Sequence, residues 1–146
     1  MSVSIASILD RKGREVKTVV PQQSVAEVVE ALRERDIGAL VVVNDEGGVV
    51  GIVSERDVVR RIAQVGTDVL DLRVEDVMTA PVHTCTPSAT TDELMEEMTE
   101  RRIRHLPVCE GEHLVGIVSI GDIVKERFEE LRDQTRQLED YVSGSY

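Results

Sequence analysis

Gly51-Ile52-Val53-Ser54-Glu55-Arg56-Asp57 returns 65 residues later as Gly116-Ile117-Val118-Ser119-Ile120-Gly121-Asp122. Each copy is a β-branched run that closes on a serine, with an aspartate three positions on. That pattern predicts a strand running directly into a helix whose first turn is capped by its own side chains. Upstream, the copies stay in step. Val16-Lys17-Thr18-Val19-Val20-Pro21 matches Val82-His83-Thr84-Cys85-Thr86-Pro87 at an offset of 66 residues. On the same offset Glu27 meets Glu93, Ile37 meets Ile103, Leu40 meets Leu106 and Val42 meets Val108. One deletion in the following turn accounts for the change of offset. The chain is a tandem repeat.

The local signals agree between copies. Residues 16–20 read as a short strand ended by Pro21. Ser24 and Glu27 form a capping box ahead of Val25, Val28, Val29 and Leu32 at helical spacing. Thr90 and Glu93 do the same ahead of Leu94, Met95 and Met98. Two β-branched runs follow, 39–43 and 49–53, joined by the turn residues Asn44 to Gly48. Their counterparts are 106–109 and 114–118. Each unit is therefore β-α-β-β-α. The fold class is α/β (α+β), with two pseudo-symmetric units packed face to face, because one unit of about 50 residues is too small to cover its own aliphatic face. The expected organisation is unit 1 over 1–66 with an N-terminal lead-in, unit 2 over 67–128, and a charged helical tail over 129–146. Residues 74–79 read as the lead-in helix of the second unit, as 5–10 does for the first.

Composition narrows the function. The 146 residues carry a formal net charge of −11 and only 2% aromatics. Nucleic-acid affinity rests on neutralising phosphates, and no basic stripe of the needed size is present. Base stacking on aromatics is equally excluded. The start of the chain lacks signal-peptide character, no stretch approaches the ~20 apolar residues of a membrane span, and the two cysteines form no disulfide framework. These features predict a cytoplasmic protein without nucleic-acid or membrane partners.

The twin Gly-x-x-Ser-x-x-Asp motif, each copy behind a Thr-x-x-Pro strand and a capped helix, resembles the cystathionine-β-synthase-type (CBS) domain, here as the tandem pair called a Bateman module. The resemblance runs over residues 5–128. It implies a regulatory module without catalysis that binds an adenosine ligand between the units: AMP, ADP, ATP or NAD(H), with S-adenosylmethionine ranked after them. It also implies that each site crosses the repeats. One would use Thr18, Val20, Pro21, Ile37, Gly38 and Ala39 with Ser119, Gly121 and Asp122. The other would use Thr84, Thr86, Pro87, Ile103, Arg104 and His105 with Ser54, Arg56 and Asp57. The chemistry is apt on its own terms. A serine at a helix N-cap sits among N–H groups that attract phosphate, and an aspartate one turn on accepts from ribose hydroxyls. The second site holds Arg56 and Arg104, with Arg102 within reach, whereas the first has Gly38 and Ala39, so the Arg-lined site is expected to take the more phosphorylated ligand. Arg104-His105 inverts the His-Arg order common in nucleotide-binding members. Arg11, Lys12 and Arg14 form a further basic patch beside the first strand.

Other readings stand beside this one. Both Ser/Asp pairs are also ordinary capping boxes. Two alternative functions are a structural or redox-responsive partner protein with a vestigial ligand site, and a nucleotide hydrolase. Against the latter, no Walker loop and no nucleophile–base constellation is present. His83, Cys85, His105, Cys109 and His113 cluster in the second copy but match no compact ligand spacing, and Cys109 reads as a small buried hydrophobe. In the tail, Val124, Phe128, Leu131, Thr135, Leu138 and Val142 follow spacings of four and three, a coiled-coil seam. That helix either docks on its own domain or pairs across a homodimer. The target protein is not specified by the residues.

Overall fold

The computed structural model describes residues 2–144, so Met1 and residues 145–146 of the predicted end segments lie outside the described residues. The elements run α1 (Ile5–Lys12), β1 (Thr18–Val19), α2 (Val25–Arg35), β2 (Ala39–Val43), β3 (Val49–Ser54) and α3 (Glu55–Val65). A 3-10 turn (Gly66–Asp71) leads to α4 (Val74–Val77), α5 (Thr91–Arg101), β4 (His105–Glu110), β5 (His113–Ser119) and α6 (Ile120–Val142). The N-cap half of each predicted capping box at α2 and α5 is present, while the full reciprocal box forms at α3 and α6. The Ser24 hydroxyl accepts from the Glu27 N–H at 3.2 Å and the Thr90 hydroxyl from the Glu93 N–H at 3.3 Å.

In the first unit β1 pairs parallel to β2, and β2 antiparallel to β3. In the second, β4 and β5 form the antiparallel pair. Ala39 lies opposite Ser54 and His105 opposite Ser119, so each capping serine faces the start of the strand before it. Both hairpins carry a register shift at the equivalent place, Val42/Val43 and Val108/Cys109. The expected second-copy strand over 82–86 shrinks to a single parallel bridge, Cys85 with Val108. Pro107 accounts for the difference: where the first copy has Val41, a proline has no N–H to extend the ladder.

Two aliphatic cores form, and the lead-in helices are exchanged between them. Ile5, Ile8 and Leu9 of α1 are buried with Leu94, Met98, Leu106, Val108, Val118 and Ile123 of the second copy. Val69, Val74 and Val77 are buried with Val25, Val28, Leu40, Val42 and Val53 of the first. In space, each lead-in serves the core opposite to its neighbour in sequence. The motif glycines make room for this. A Cβ on Gly116 would fall 2.7 Å from Cδ2 of Leu9, and one on Gly51 would fall 2.8 Å from Sδ of Met78 and 3.0 Å from the Thr79 carbonyl.

The exchange predicts that a cut near the N-terminus damages the far half. Leu9→Ala, at a fully buried position, should lower unfolding free energy by about 2–5 kcal/mol in urea titration. A loss below ~1 kcal/mol would mean that α1 contributes little to the second core.

Candidate functional site

The two units meet so that the helix starts of α3 and α6 border two clefts at the seam. The local cause is the same in each copy. Helices α2 and α5 end on left-handed residues, Asp36 (φ 51°) and Arg102 (φ 56°), which turn the chain sharply into β2 and β4. The Gly38 carbonyl accepts from the Glu55 N–H at 3.0 Å, and the Arg104 carbonyl from the Ile120 N–H at 2.8 Å. Each turn is thereby held against the first residue of its own unit's last helix.

The first cleft, about 390 Å³, brings Ser54, Arg56, Asp57 and Arg60 of unit 1 together with residues 101–105 of unit 2. Five arginines line it: Arg56, Arg60, Arg101, Arg102 and Arg104, beside the aliphatic Ile52 and Ile103. The Ser54 N–H and hydroxyl donate to Oδ2 of Asp57 at 2.8 and 3.0 Å. Oδ1 of Asp57 accepts from the Thr79 hydroxyl at 3.1 Å.

The second cleft, about 520 Å³, brings Ile37, Gly38 and Ala39 together with Ser119, Asp122 and Ile117, and adds Lys12, Val16, Lys17 and Arg35. Here the capping carboxylate meets a cation. The Lys12 ammonium donates to Oδ2 of Asp122 at 2.6 Å and to the Ile117 carbonyl at 2.8 Å. Burial pushes the Asp122 carboxyl up, but Lys12 and the Ser119 N–H and hydroxyl outweigh it and hold it below its ordinary value. The two clefts therefore present unlike acceptors: Asp57 beside a neutral hydroxyl, Asp122 beside an ammonium.

Gly38 and His105 line both clefts and form the wall between them. A Cβ on Gly38 would approach Oε1 of Glu55 to 2.9 Å and the His105 ring to 3.3 Å, so only glycine leaves this wall undisturbed. Burial, then the Lys12 charge, lowers the His105 pKa; Asp122 and Glu55 oppose the shift, and Arg104 adds to it.

Of the expected residues, Ile103, Arg104, His105, Ser54, Arg56 and Asp57 share the first cleft. Ile37, Gly38, Ala39, Ser119 and Asp122 share the second. The Thr-x-x-Pro residues do not line either. Thr18 is paired in β1 with Val41, and the Val20 N–H is taken by the Gln23 side chain. Pro21 and Pro87 turn their carbonyls to the lead-in helices, accepting from the Glu75 N–H at 3.1 Å and the Ala6 N–H at 2.9 Å. Thr84 lines a separate hollow between the hairpin turns, and the Thr86 hydroxyl contacts Ser88. Gly121 is exposed on the first turn of α6. The lead-in segments supply Thr79 to one cleft and Lys12 to the other, where Val16 and Lys17, at the start of the expected first strand, join it. No spacing in the lead-in helices marks either residue: matched through Leu9 and Met78, Thr79 falls on Asp10 and Lys12 on Pro81.

Of the remaining second-copy candidates, Cys85 and Cys109 are buried, whereas His83 and His113 are exposed. Burial, with Glu97 and Cys109 nearby, pushes the Cys85 thiol up to about 12, so its reactive thiolate is disfavoured at neutral pH. The His83 ring lies 3.1 Å from the Arg101 guanidinium. Among the described residues, no helix is long and apolar enough to cross a membrane.

A His105 pKa lowered in the folded state has a definite sign. The unfolded chain takes up the proton first, so stability is complete above the ordinary value of about 6.5 and declines as pH falls toward the folded value. The melting temperature should drop between pH 7.5 and 5.5, and His105→Gln should flatten that drop. An equal slope in both proteins would remove His105 as its source.

The family model for the CBS domain matches residues 7–64 and 74–129. A mitochondrial CBS domain-containing protein of Arabidopsis thaliana is 32% identical over 153 residues, covering 99% of this chain and 74% of that one. The crystal structure of a CBS-domain containing protein from Agrobacterium tumefaciens superposes with a TM-score of 0.82 at 47% identity, over 85% of this chain and 92% of that one. A CBS domain pair solved in complex with 5′-methylthioadenosine and S-adenosyl-L-methionine has a TM-score of 0.75 at 26% identity, over 84% of this chain and 98% of that one. With twin units, exchanged lead-ins and a capped helix start at each cleft, this chain belongs to the CBS domain family, as a tandem pair forming a regulatory module.

Proposed function

We propose that this CBS pair is a sensor that binds an adenosine nucleotide in the Arg-lined cleft, works as a homodimer, and passes the ligand's presence to a target protein. The carrying observation is that five guanidiniums and the Asp57 carboxylate share one cleft. A ribose diol donates to Asp57 in place of the Thr79 hydroxyl, and a phosphate chain meets the arginines in bidentate pairs. Ile52 and Ile103 offer the purine an aliphatic surface, as this aromatic-poor chain requires. The cleft's volume is within the range of small-molecule sites. The solved pair holding adenosine ligands supports the same ligand class. A cytoplasmic setting fits two buried thiols without a disulfide.

The second cleft ranks behind the first. There a sugar must displace the Lys12 ammonium from Asp122, a charge-assisted bond that is stronger than a neutral one. The candidate ligands remain AMP, ADP, ATP and NAD(H), then S-adenosylmethionine. Regulation further requires that the ligand bind two states of the module unequally, since tight binding alone shifts no equilibrium.

A thermal-shift panel of adenosine, AMP, ADP, ATP, NAD, NADH and S-adenosylmethionine on ligand-stripped protein tests this. ADP and ATP should give larger shifts than adenosine, with stabilisation of about 2.7 kcal/mol at 100 times Kd. No shift with any of them overturns the reading.

Calorimetry separates the clefts. Asp57→Ala should remove about 1.5–3 kcal/mol of binding, roughly 10- to 150-fold in Kd, while Asp122→Ala leaves the tighter site almost unchanged. The reverse ranking would assign the tighter site to the Lys12 cleft.

A further inference from the structure

Helix α6 has two unlike halves. Its first half is rooted in the body: Ile123 is fully buried, Arg11 bonds Glu126 and Glu129, and Arg127 lies 3.1 Å from Asp92. From Leu131 to Gly144 every described residue is exposed. A seam crosses both halves, d-a-d-a-d-a in heptad terms: Val124, Phe128, Leu131, Thr135, Leu138 and Val142. Phe128, the chain's single phenylalanine, is 66% exposed, Leu138 65% and Val142 77%. Thr135 fits the seam because its hydroxyl donates to the Leu131 carbonyl at 2.9 Å, leaving its methyl for packing. A lone helical segment of this length is marginal in water, and an apolar stripe along it points to a partner.

We propose that the partner is α6 of a second copy of this chain, running antiparallel and centred near residue 133. This rests on the homodimer reading above and adds the element, its direction and its register. The flanking charges decide the direction. The e positions are Lys125, Arg132 and Glu139, and the g positions Arg127, Gln134 and Tyr141. In a parallel pair, g faces the next e of the partner. That sets Arg127 against the partner's Arg132 twice and Gln134 against the partner's Glu139, with no opposite charges meeting. In the antiparallel pair, e faces e. Lys125 then meets the partner's Glu139 at both ends, and only one like pair, Arg132 with the partner's Arg132, sits on the axis.

The apolar layers follow the same register. Val124 packs on the partner's Val142, Phe128 on the partner's Leu138, and Leu131 on the partner's Thr135, each layer occurring twice. The largest side chain thus meets a leucine instead of its own copy, and no layer is threonine against threonine. The surface is self-complementary about a two-fold axis, as an isologous dimer requires. It spans about 27 Å of helix at 1.5 Å per residue.

The test uses the full chain. Sedimentation equilibrium should show a dimer for the wild type and a monomer for Leu131→Glu/Leu138→Glu, with an unchanged far-UV spectrum and cooperative melt for that variant's rooted body. Lys125→Glu should weaken the dimer at low salt, and Lys125→Glu/Glu139→Lys should restore it. Direction is read by mild oxidation. Phe128→Cys and Leu138→Cys chains should cross-link when mixed and not when separate, because like positions lie about 15 Å apart along the axis. Cross-linking of each variant alone means a parallel pair and overturns the proposal. A dimer that survives Leu131→Glu/Leu138→Glu overturns pairing through α6 while leaving the homodimer reading intact. A wild-type monomer overturns both, and the thermal-shift panel still reports separately on the nucleotide.

Discussion

The close approach of a lead-in segment to a glycine, made once in each unit, is the contact on which the remaining architecture depends. Leu9 fills the space over Gly116, and Met78 with the Thr79 backbone fills that over Gly51. A Cβ at Gly51 would press on the Thr79 backbone and shift that lead-in, and one at Gly116 would force the buried Leu9 side chain to repack. Each core is thus closed by a helix from elsewhere in the chain. The two units are bound together by their interiors and not merely by the faces they turn to each other.

That closure also delivers the lead-in segments to the seam, where they finish the clefts. Thr79 arrives beside Asp57, and Lys12 beside Asp122. The repeat therefore yields two similar frames with unlike chemistry, one rich in guanidinium groups and one with its carboxylate already met by a cation. The overall charge of −11 does not decide either, because groups within a few ångströms dominate a cleft while distant surface charge is screened. Gly38 and His105 stand in both frames, so the wall between them is a single layer of protein.

The repeat, the capping boxes, both hairpins and the position of the two Ser/Asp pairs were legible in the sequence, because each is written in short-range chemistry. Ser54 needs Asp57 three positions on, and a β-branched run needs only its own residues to be seen. Three things were not legible. Ile5, Ile8 and Leu9 show an apolar face but carry no sign of which core it enters. Pro21 and Pro87 look like cleft walls by their place after a strand, yet their carbonyls hold the starts of α4 and α1. Lys12 read as one of three basic residues near a strand, and only the packing of α1 on the second core aims it at Asp122. The lost strand over 82–86 is a milder case: Pro107 was in plain view, but its effect on a neighbouring ladder depends on register.

The exchange of lead-ins sets an order of events on the ribosome. Helix α1 emerges ahead of both cores, yet the groups that cover it extend to Ile123, more than a hundred residues later. At 5–20 residues per second the nascent chain carries an uncovered amphipathic helix for on the order of ten seconds, while the first core can close once Val77 has cleared the exit tunnel. The charged residues that end α1, Asp10, Arg11 and Lys12, favour hydration of that waiting segment until Arg11 and Lys12 meet the carboxylates of α6.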